Sequence, residues 1–398
     1  MTNLPQGWEV KKLEEIANIK GGKRLPKGEN LLDNNTKFAY IRVADFQDNG
    51  TINLQNIKFI NENTYNVLKN YKIYDDNLYI SIAGTIGKSG IIPKELNGAI
   101  LTENAVKLEY IQNNISNKFM YFFTLSNIFK TQIQTSTKIV AQPKLAITRL
   151  KQIQIPLPPL KEQERIVGIL DESFAKIDES IKILEQDLLN LDELMQSALQ
   201  KAFNPLKDNA KENYKLPQSW EWKSLEKISE NISAGGDKPK NCTESKTAKN
   251  QIPVYANGVN NNGLVGYTDK ATIIKPSLTI SARGTIGFVC IRKEPYFPIV
   301  RLISLIPCEN ILCLYYLYFC LNFFIAKGEG SSIPQLTIPK FKSLQIPLPP
   351  LKEQEQIAEH LDFVFEKAKA LKELYTKELK DYEELKQSLL DKAFKGEL

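Results

Sequence analysis

The 398 residues leave room for two or three domains, each able to bury its own core, and 42% apolar with 25% charged side chains is an ordinary globular composition. The opening MTNLPQGWEV has neither a basic stretch nor an apolar one, so no secretory signal is expected. Five cysteines (Cys242, Cys290, Cys308, Cys313, Cys320) at spacings unlike C-x-x-C, with the single histidine His360 in a charged helical run, argue against a zinc site and His-based acid–base catalysis. Free thiols in a reducing cytoplasm are the expectation.

In chain order, the first 155 residues offer strand-like runs, KFAYIRVADF, NLYISIAGTI and GAILTENAVKLEY. Between two of them lies SIAGTIGKSG, whose Gly87, Lys88 and Ser89 match the end of a phosphate-binding loop. That loop needs a glycine where this chain has Ile82, so a Gly-flanked turn displaying Lys88 is the better reading. An aromatic helix, MYFFTLSNIFK from Met120, is expected to serve the core; the polar loop TQIQTSTKIVAQPKL after it suits contacts to phosphates and bases.

IPLPP then stops any helix, and LKEQE places carboxylates in the first turn of a new one, where the macrodipole favours them. Leu170, Phe174, Ile177, Ile181, Leu184, Leu188, Leu191, Met195 and Ala198 come next at alternating spacings of four and three, a heptad seam. At 1.5 Å per residue, about 40 residues make a rod of roughly 60 Å.

All of this occurs twice. LPQSWEWKSLEKI from Leu216 echoes LPQGWEVKKLEEI from Leu4, SARGTIGFVC from Ser281 echoes SIAGTIGKSG, and QIPLPPLKEQEQI from Gln345 repeats QIPLPPLKEQERI from Gln154. The offset falls from 212 to 200 to 191 residues, so the second copy is shorter on both sides of its G-T-I-G turn. Its turn continues with Phe288 and Val289, lacking the Lys and hydroxyl a phosphate loop requires. The run ILCLYYLYFCLNFFI, Ile311 to Ile325, aligns with the first aromatic helix, is too short to span a membrane and carries Asn322. AKGEGSSIPQL is its polar loop. The second seam reads Leu361, Phe365, Ala368, Lys372, Tyr375, Leu379, Tyr382, Lys386 and Leu389, in the same register with two lysine interruptions.

Charge tracks the repeat. Residues 1–155 hold 20 basic and 13 acidic side chains and residues 207–346 hold 18 and 11, a net +7 each, whereas 156–206 and 347–398 come to −5 and −3. A lone seam has nowhere to bury its stripe, so the two helices are expected to pair antiparallel, holding the basic domains apart. Ile166, Val167, Ile169, Ile183 and Leu189, off the seam, are left for partner subunits.

The duplicated openings, the G-T-I-G turns and the paired PLPPLKEQE motifs resemble the specificity subunit of type I restriction-modification enzymes over nearly the whole chain. The resemblance implies an α+β fold: two mixed α/β target-recognition domains, 1–155 and 207–346, separated by two long spacer helices, 156–206 and 347–398, that form an antiparallel coiled coil with a pseudo-twofold internal repeat. It implies that each domain reads one half of a bipartite, asymmetric site on double-stranded DNA while the helices set the spacer. It assigns catalysis to partners: two adenine-N6 methyltransferase subunits carrying S-adenosylmethionine, and two restriction subunits using ATP and Mg that can join them. This chain is then expected to bind no cofactor or metal, to be no enzyme itself and to need no membrane. The readings set against this one are a specificity subunit of a related type IIB system, a P-loop-like nucleotide-binding enzyme using Gly87, Lys88 and Ser89, and a coiled-coil scaffold without DNA specificity.

Guanine is most often read by Arg or Lys, and arginine is scarce here, with seven in the chain. Arg24, Arg42 and Arg149 in the first domain and Arg283, Arg292 and Arg301 in the second are the candidate base readers; Arg165 belongs to a helix. Lys20, Lys23 and Lys27 around Gly21 and Gly22, Lys238 and Lys240 after Gly235 and Gly236, with Lys88, Lys138 and Lys327, form the candidate phosphate-facing set.

Overall fold

The computed structural model describes residues 4–136, 144–203, 217–325 and 336–398. They divide into two compact units: Met1–Leu184 with Lys377–Leu398, and Glu185–Thr376. Each long helix, Leu160–Phe203 and Leu351–Lys395, therefore gives one half to each unit.

In the first unit the repeated opening and closing motifs pair with each other. Glu9–Lys12 runs antiparallel to Gln154–Leu157, so the IPLPP segment is a short strand before it becomes a helix stop. Pro156 lies in a two-stranded ribbon, where proline's missing donor is tolerated. Beyond the ribbon, a four-stranded sheet has the order Ala17–Gly21, Ala105–Tyr110, Leu78–Ser81, Ser89–Ile91, all antiparallel. A second sheet of Lys58–Phe59, Ala39–Ile41, Ala99–Leu101 and Lys72–Ile73 contains one parallel pair, Ala39–Ile41 with Ala99–Leu101.

The aromatic run forms two helices, Asn117–Leu125 and Asn127–Ser136. Ser126 separates them because its backbone is extended, and its hydroxyl accepts the Phe129 N–H at 3.3 Å as a cap. Phe119, Met120, Phe122 and Phe123 are buried, so these aromatics build the core.

The second unit repeats this plan. Glu221–Ser224 pairs with Gln345–Leu348, and the main sheet runs Ser229–Ala234, Ile303–Pro307, Ser277–Ile280, Val289–Arg292. Its smaller sheet has three strands, Leu264–Thr268, Ile252–Tyr255 and Phe297–Pro298, again with one parallel pair. The edge strand Lys72–Ile73 and helix Glu62–Val67 have no counterpart here among the described residues, in line with the shorter second copy. The aromatic helix is a single piece, Leu314–Phe324.

Both long helices start directly after the third proline of the motif. The N–H groups of Glu162 and Gln163 reach the Pro159 carbonyl at 2.9 and 3.1 Å, and those of Glu353 and Gln354 reach Pro350 at the same distances. The glutamine of LKEQE is buried in both copies. Gln163 accepts from the Ser116 N–H (2.9 Å) and donates to the Asn114 (3.1 Å) and Pro158 (2.9 Å) carbonyls. Gln354 accepts from the Cys313 N–H (2.9 Å) and donates to Ile311 (2.9 Å) and Pro349 (2.8 Å). Ser116 and Cys313 are the N-caps of the aromatic helices, so each glutamine bolts a domain to the head of its long helix.

The feet of the helices are held by the repeated K-A-F. In the first unit Phe394 packs 5.1 Å from Phe119 and 5.5 Å from Phe123, ring to ring. In the second, Phe203 lies 5.4 Å from Tyr316 and 5.8 Å from Phe323. Each domain therefore rests on the head of one helix and the foot of the other.

The seam is buried in two ways: Leu170 and Phe174 in the first helix and Leu361 and Phe365 in the second join the domain cores, and the rest of the seam lies between the helices. Leu170, Ile177, Leu184, Leu191, Leu361 and Ala368 are buried, and Phe174, Ile181, Leu188, Phe365, Tyr375, Leu379 and Tyr382 are partly so. The two lysine interruptions carry cross-helix ion pairs: Lys386 with Asp178 in the first unit and Lys372 with Asp192 in the second. Within the first unit Arg165 meets the Leu398 carbonyl (2.8 Å) while Asp178 meets Lys386, which makes the pairing antiparallel. Of the off-seam apolar residues reserved for partners, Ile183 and Leu189 are exposed at 56% and 60%. Ile166 corrects that expectation: at 1% exposure it belongs to the core beneath the first domain.

Phe394→Ala is expected to cost about 3–5 kcal/mol in chemical denaturation, and Leu189→Ala to stay within about 0.5 kcal/mol, because only the former empties a packed aromatic cluster.

Candidate nucleic-acid interface

Three loops meet at one end of the main sheet in the first unit. Strand Ala17–Gly21 ends there, Ala105–Tyr110 begins there, and the hairpin Leu78–Ser81 to Ser89–Ile91 turns there. Backbone bonds tie them together: Gly22 N–H to Ala105 O (3.0 Å), Lys23 N–H to Leu101 O (2.9 Å), and Ile82 N–H to Asn104 O (2.8 Å). A side chain at Gly22 would put its Cβ 2.1 Å from the Thr102 carbonyl oxygen, so only glycine permits this approach.

The hairpin's G-T-I-G is a turn closed from within. Gly87 N–H donates to Ser81 O (2.9 Å), Lys88 N–H to Ser81 Oγ (2.9 Å), and Gly84 and Gly87 have φ of +75° and +89°. In the second unit Gly287 N–H donates to Ser281 O (3.0 Å), with Gly284 and Gly287 at +68° and +82°. The left-handed conformations account for both glycines in both copies. Lys88 leads into a strand, Ser89–Ile91, whereas a phosphate loop opens a helix.

The same sheet end in the second unit gathers Gly235–Asp237, the Ser281–Gly287 turn and the Ile299–Leu302 turn, through Gly235 N–H to Leu302 O (2.8 Å) and Ala282 N–H to Asn257 Oδ1 (2.8 Å).

The structure sorts the candidate cations. Arg292 leaves the set: it is 8% exposed, donates through Nε to Thr279 Oγ1 (3.0 Å) and through Nη2 to the Asn262 carbonyl, and stacks 3.6 Å from the Tyr255 ring centroid. Arg42 is committed to structure as well. Its guanidinium grips the buried Asp45 at 2.5 and 3.1 Å and reaches Asn56 O at 3.0 Å. The sequence signal was the i, i+3 spacing to Asp45 at the start of a short helix.

Three others sit at or near the surface in ion pairs that DNA could compete for. Arg24, with a 79% exposed side chain, holds Glu103 at 2.7 Å; Lys20 holds Glu109 at 2.5 Å; Lys88 holds Asp48 at 2.8 Å. Burial pushes the Glu103 carboxyl up, but its hydrogen bonds to Arg24 and Thr102 outweigh that and leave it below the usual range. Glu109 shows the same pattern, burial opposed by Lys107 and Lys20.

Lys23, Lys27, Lys238, Lys240 and Arg301 are exposed. Arg149 and Arg283 sit beside the sheet ends, at Ile147–Lys151 and in the second G-T-I-G turn. Lys138 and Lys327 lie outside the described residues. Lys23, Arg24 and Lys88 thus share one sheet end, and Arg283 and Arg301 its counterpart.

The family model for the type I restriction modification DNA specificity domain matches this chain twice, over residues 5–188 and 217–380. The chain belongs to that family. Its two copies of the specificity domain coincide with the repeat found in the sequence and with the duplicated sheets. A putative type I specificity subunit of Mycoplasma pneumoniae is 29% identical over 357 residues, 88% of this chain and 87% of that protein. The EcoBI specificity subunit of Escherichia coli is 29% identical over 205 residues, 50% of this chain and 42% of its own. In fold, the chain matches one chain from a study of assembly and conformational transition in a type I R-M system with TM-score 0.82 at 20% identity, each covered fully. It also matches the crystal structure of the HsdS subunit from Thermoanaerobacter tengcongensis, with TM-score 0.63 at 20% identity, covering 100% of this chain and 98% of that one.

Arg292→Ala is expected to destabilise the second unit by about 2–4 kcal/mol, since it strips the partners of a buried guanidinium. Lys238→Ala with Lys240→Ala should leave stability within about 0.5 kcal/mol while weakening duplex binding on all sequences and lowering its salt dependence. Thermal denaturation and binding titrations at two salt concentrations check both.

Proposed function

We propose that this chain is the DNA specificity subunit of a type I restriction-modification complex, in which each domain reads one half of a bipartite, asymmetric site and the paired helices set the unread spacer. The observation that carries it is the duplicated sheet end: the same three loops, on the same four-stranded frame, present cations in both units, while the residues in those loops differ. A shared frame with unlike loops is what two readers of unlike half-sites need, because phosphate contacts position a protein and base contacts specify the sequence.

The chain supplies recognition and leaves the chemistry to partners. Two modification subunits, carrying S-adenosylmethionine, would methylate adenine at N6, and restriction subunits using ATP and Mg would cut. Exposed Ile183 and Leu189 on the first helix fit a docking surface for the modification subunits. Net +7 on each domain, against acidic spacer helices, favours engagement of DNA through the domains and predicts affinity that falls steeply with salt.

Base-resolution mapping of N6-methyladenine tests the reading, comparing cells that express this chain with the methyltransferase of its own system against cells that express the methyltransferase alone. A split motif of two unlike half-sites, present only with both proteins, is the expected outcome. An active complex that yields no such motif would contradict it.

A further inference from the structure

The turn Ile299–Leu302 leads from the strand Phe297–Pro298 into the central strand Ile303–Pro307, closed by Leu302 N–H to Ile299 O at 3.1 Å. Its two central residues, Val300 and Arg301, have φ of +53° and +60°. That is the φ pattern of a type I′ turn, which ordinarily carries Asn-Gly. A β-branched residue at positive φ is a genuine outlier, and strain of this kind persists only where the surroundings impose it.

The surroundings here do impose it. Val300 N–H donates to Gly236 O (2.8 Å), Arg301 N–H to Gly235 O (2.8 Å), and Asn257 Nδ2 to Val300 O (2.6 Å). A Cβ at Gly235 would lie 2.6 Å from the Ile299 nitrogen, so the clamp depends on that glycine. The core gains nothing from the arrangement, since Val300 and Arg301 are both exposed. Among the described residues the Arg301 guanidinium has no ion-pair partner or hydrogen-bond acceptor.

The first domain shows the unstrained alternative. Its equivalent turn, Thr102–Ala105, closes the same way (Ala105 N–H to Thr102 O, 3.2 Å), yet Glu103 and Asn104 keep negative φ. There the Asn104 carbonyl accepts the Ile82 N–H (2.8 Å); in the second domain the Asn257 side chain accepts the corresponding Ala282 N–H at 2.8 Å and is free to brace the flipped turn. The frame does not need left-handed residues at this turn, and the second domain holds them while displaying one cation at the sheet end.

We propose that Arg301 is a specificity-determining residue: the flipped turn fixes its backbone so that the guanidinium projects into the major groove and makes the two-pronged contact to guanine in the half-site read by the second domain. The proposal rests on the DNA-reading function argued above. Arginine's planar fork suits the O6 and N7 acceptors of guanine, and a braced backbone limits the entropy lost on contact.

Methylation mapping of the full complex with Arg301→Ala tests it, with the wild-type motif as reference; absence of a motif in the wild type would count against the specificity-subunit reading instead. One guanine position, in one half-site, is expected to become degenerate, with discrimination falling about 10- to 100-fold and the other half-site and the spacer unchanged. A motif retained at every position overturns the proposal. Should the Ala variant methylate nothing, the purified Arg301→Gln complex decides on a panel of duplexes substituted one base pair at a time. Preference lost or moved toward adenine at a single position supports the assignment, and uniform weakening on every duplex, the behaviour of a phosphate contact, overturns it.

Discussion

Two apolar seams, buried partly against each other and partly in the cores of the domains they carry, govern this molecule. Each is too regular to serve one globular domain, and their antiparallel pairing brings the head of one helix beside the foot of the other. Everything else is fastened to that arrangement. Gln163 and Gln354 bolt the domains to the heads; Phe394 and Phe203 plug the feet into the aromatic helices. Lys386 and Lys372 interrupt the seam with charge, and each finds an aspartate across it. A polar side chain in a seam costs stability and specifies register, which is what a structure that measures distance requires.

The domains are one frame used twice with different furniture. Strand order in the main sheet, the single parallel pair and the G-T-I-G turn recur, so the three loops converge at the same sheet end in both units. Chemistry differs where the loops differ. The first domain keeps its cations partly neutralised, Arg24 by Glu103 and Lys88 by Asp48, whereas the second strains its backbone to present Arg301. Ion pairs at the surface are weak and exchangeable, so the DNA contacts proposed for the first domain would break them at little cost.

Much of the architecture was legible in the sequence because it rests on period and repetition. The seam, the proline stops, the duplicated motifs and the aromatic core helices are all patterns of residue type at fixed spacing, and burial tracks them closely. The site was less legible. Arg42 carried a local signal in its i, i+3 spacing to Asp45, whereas Arg292 looked like any other scarce arginine, and its burial depends on Thr279 and Tyr255, both brought near only by folding. Ile166 fell off the heptad register yet lies under the first domain, on the face it shares with Leu170 at i, i+4 spacing. The buried glutamines were visible as part of a repeated motif, but their role belongs to loops about 40–50 residues away in the chain. The Val300–Arg301 strain had no sequence signal at all, since neither residue favours positive φ.

In the proposed function the helix pair measures the spacer while the domains read the ends. Inserting one heptad into each long helix, at facing seam positions, lengthens the pair by about 10.5 Å, the axial length of roughly 3 base pairs. Mapping methylated sites for that variant should return both half-sites unchanged with a spacer longer by about 3 base pairs. Half-sites that change while the spacer stays fixed would contradict a spacer set by the helices.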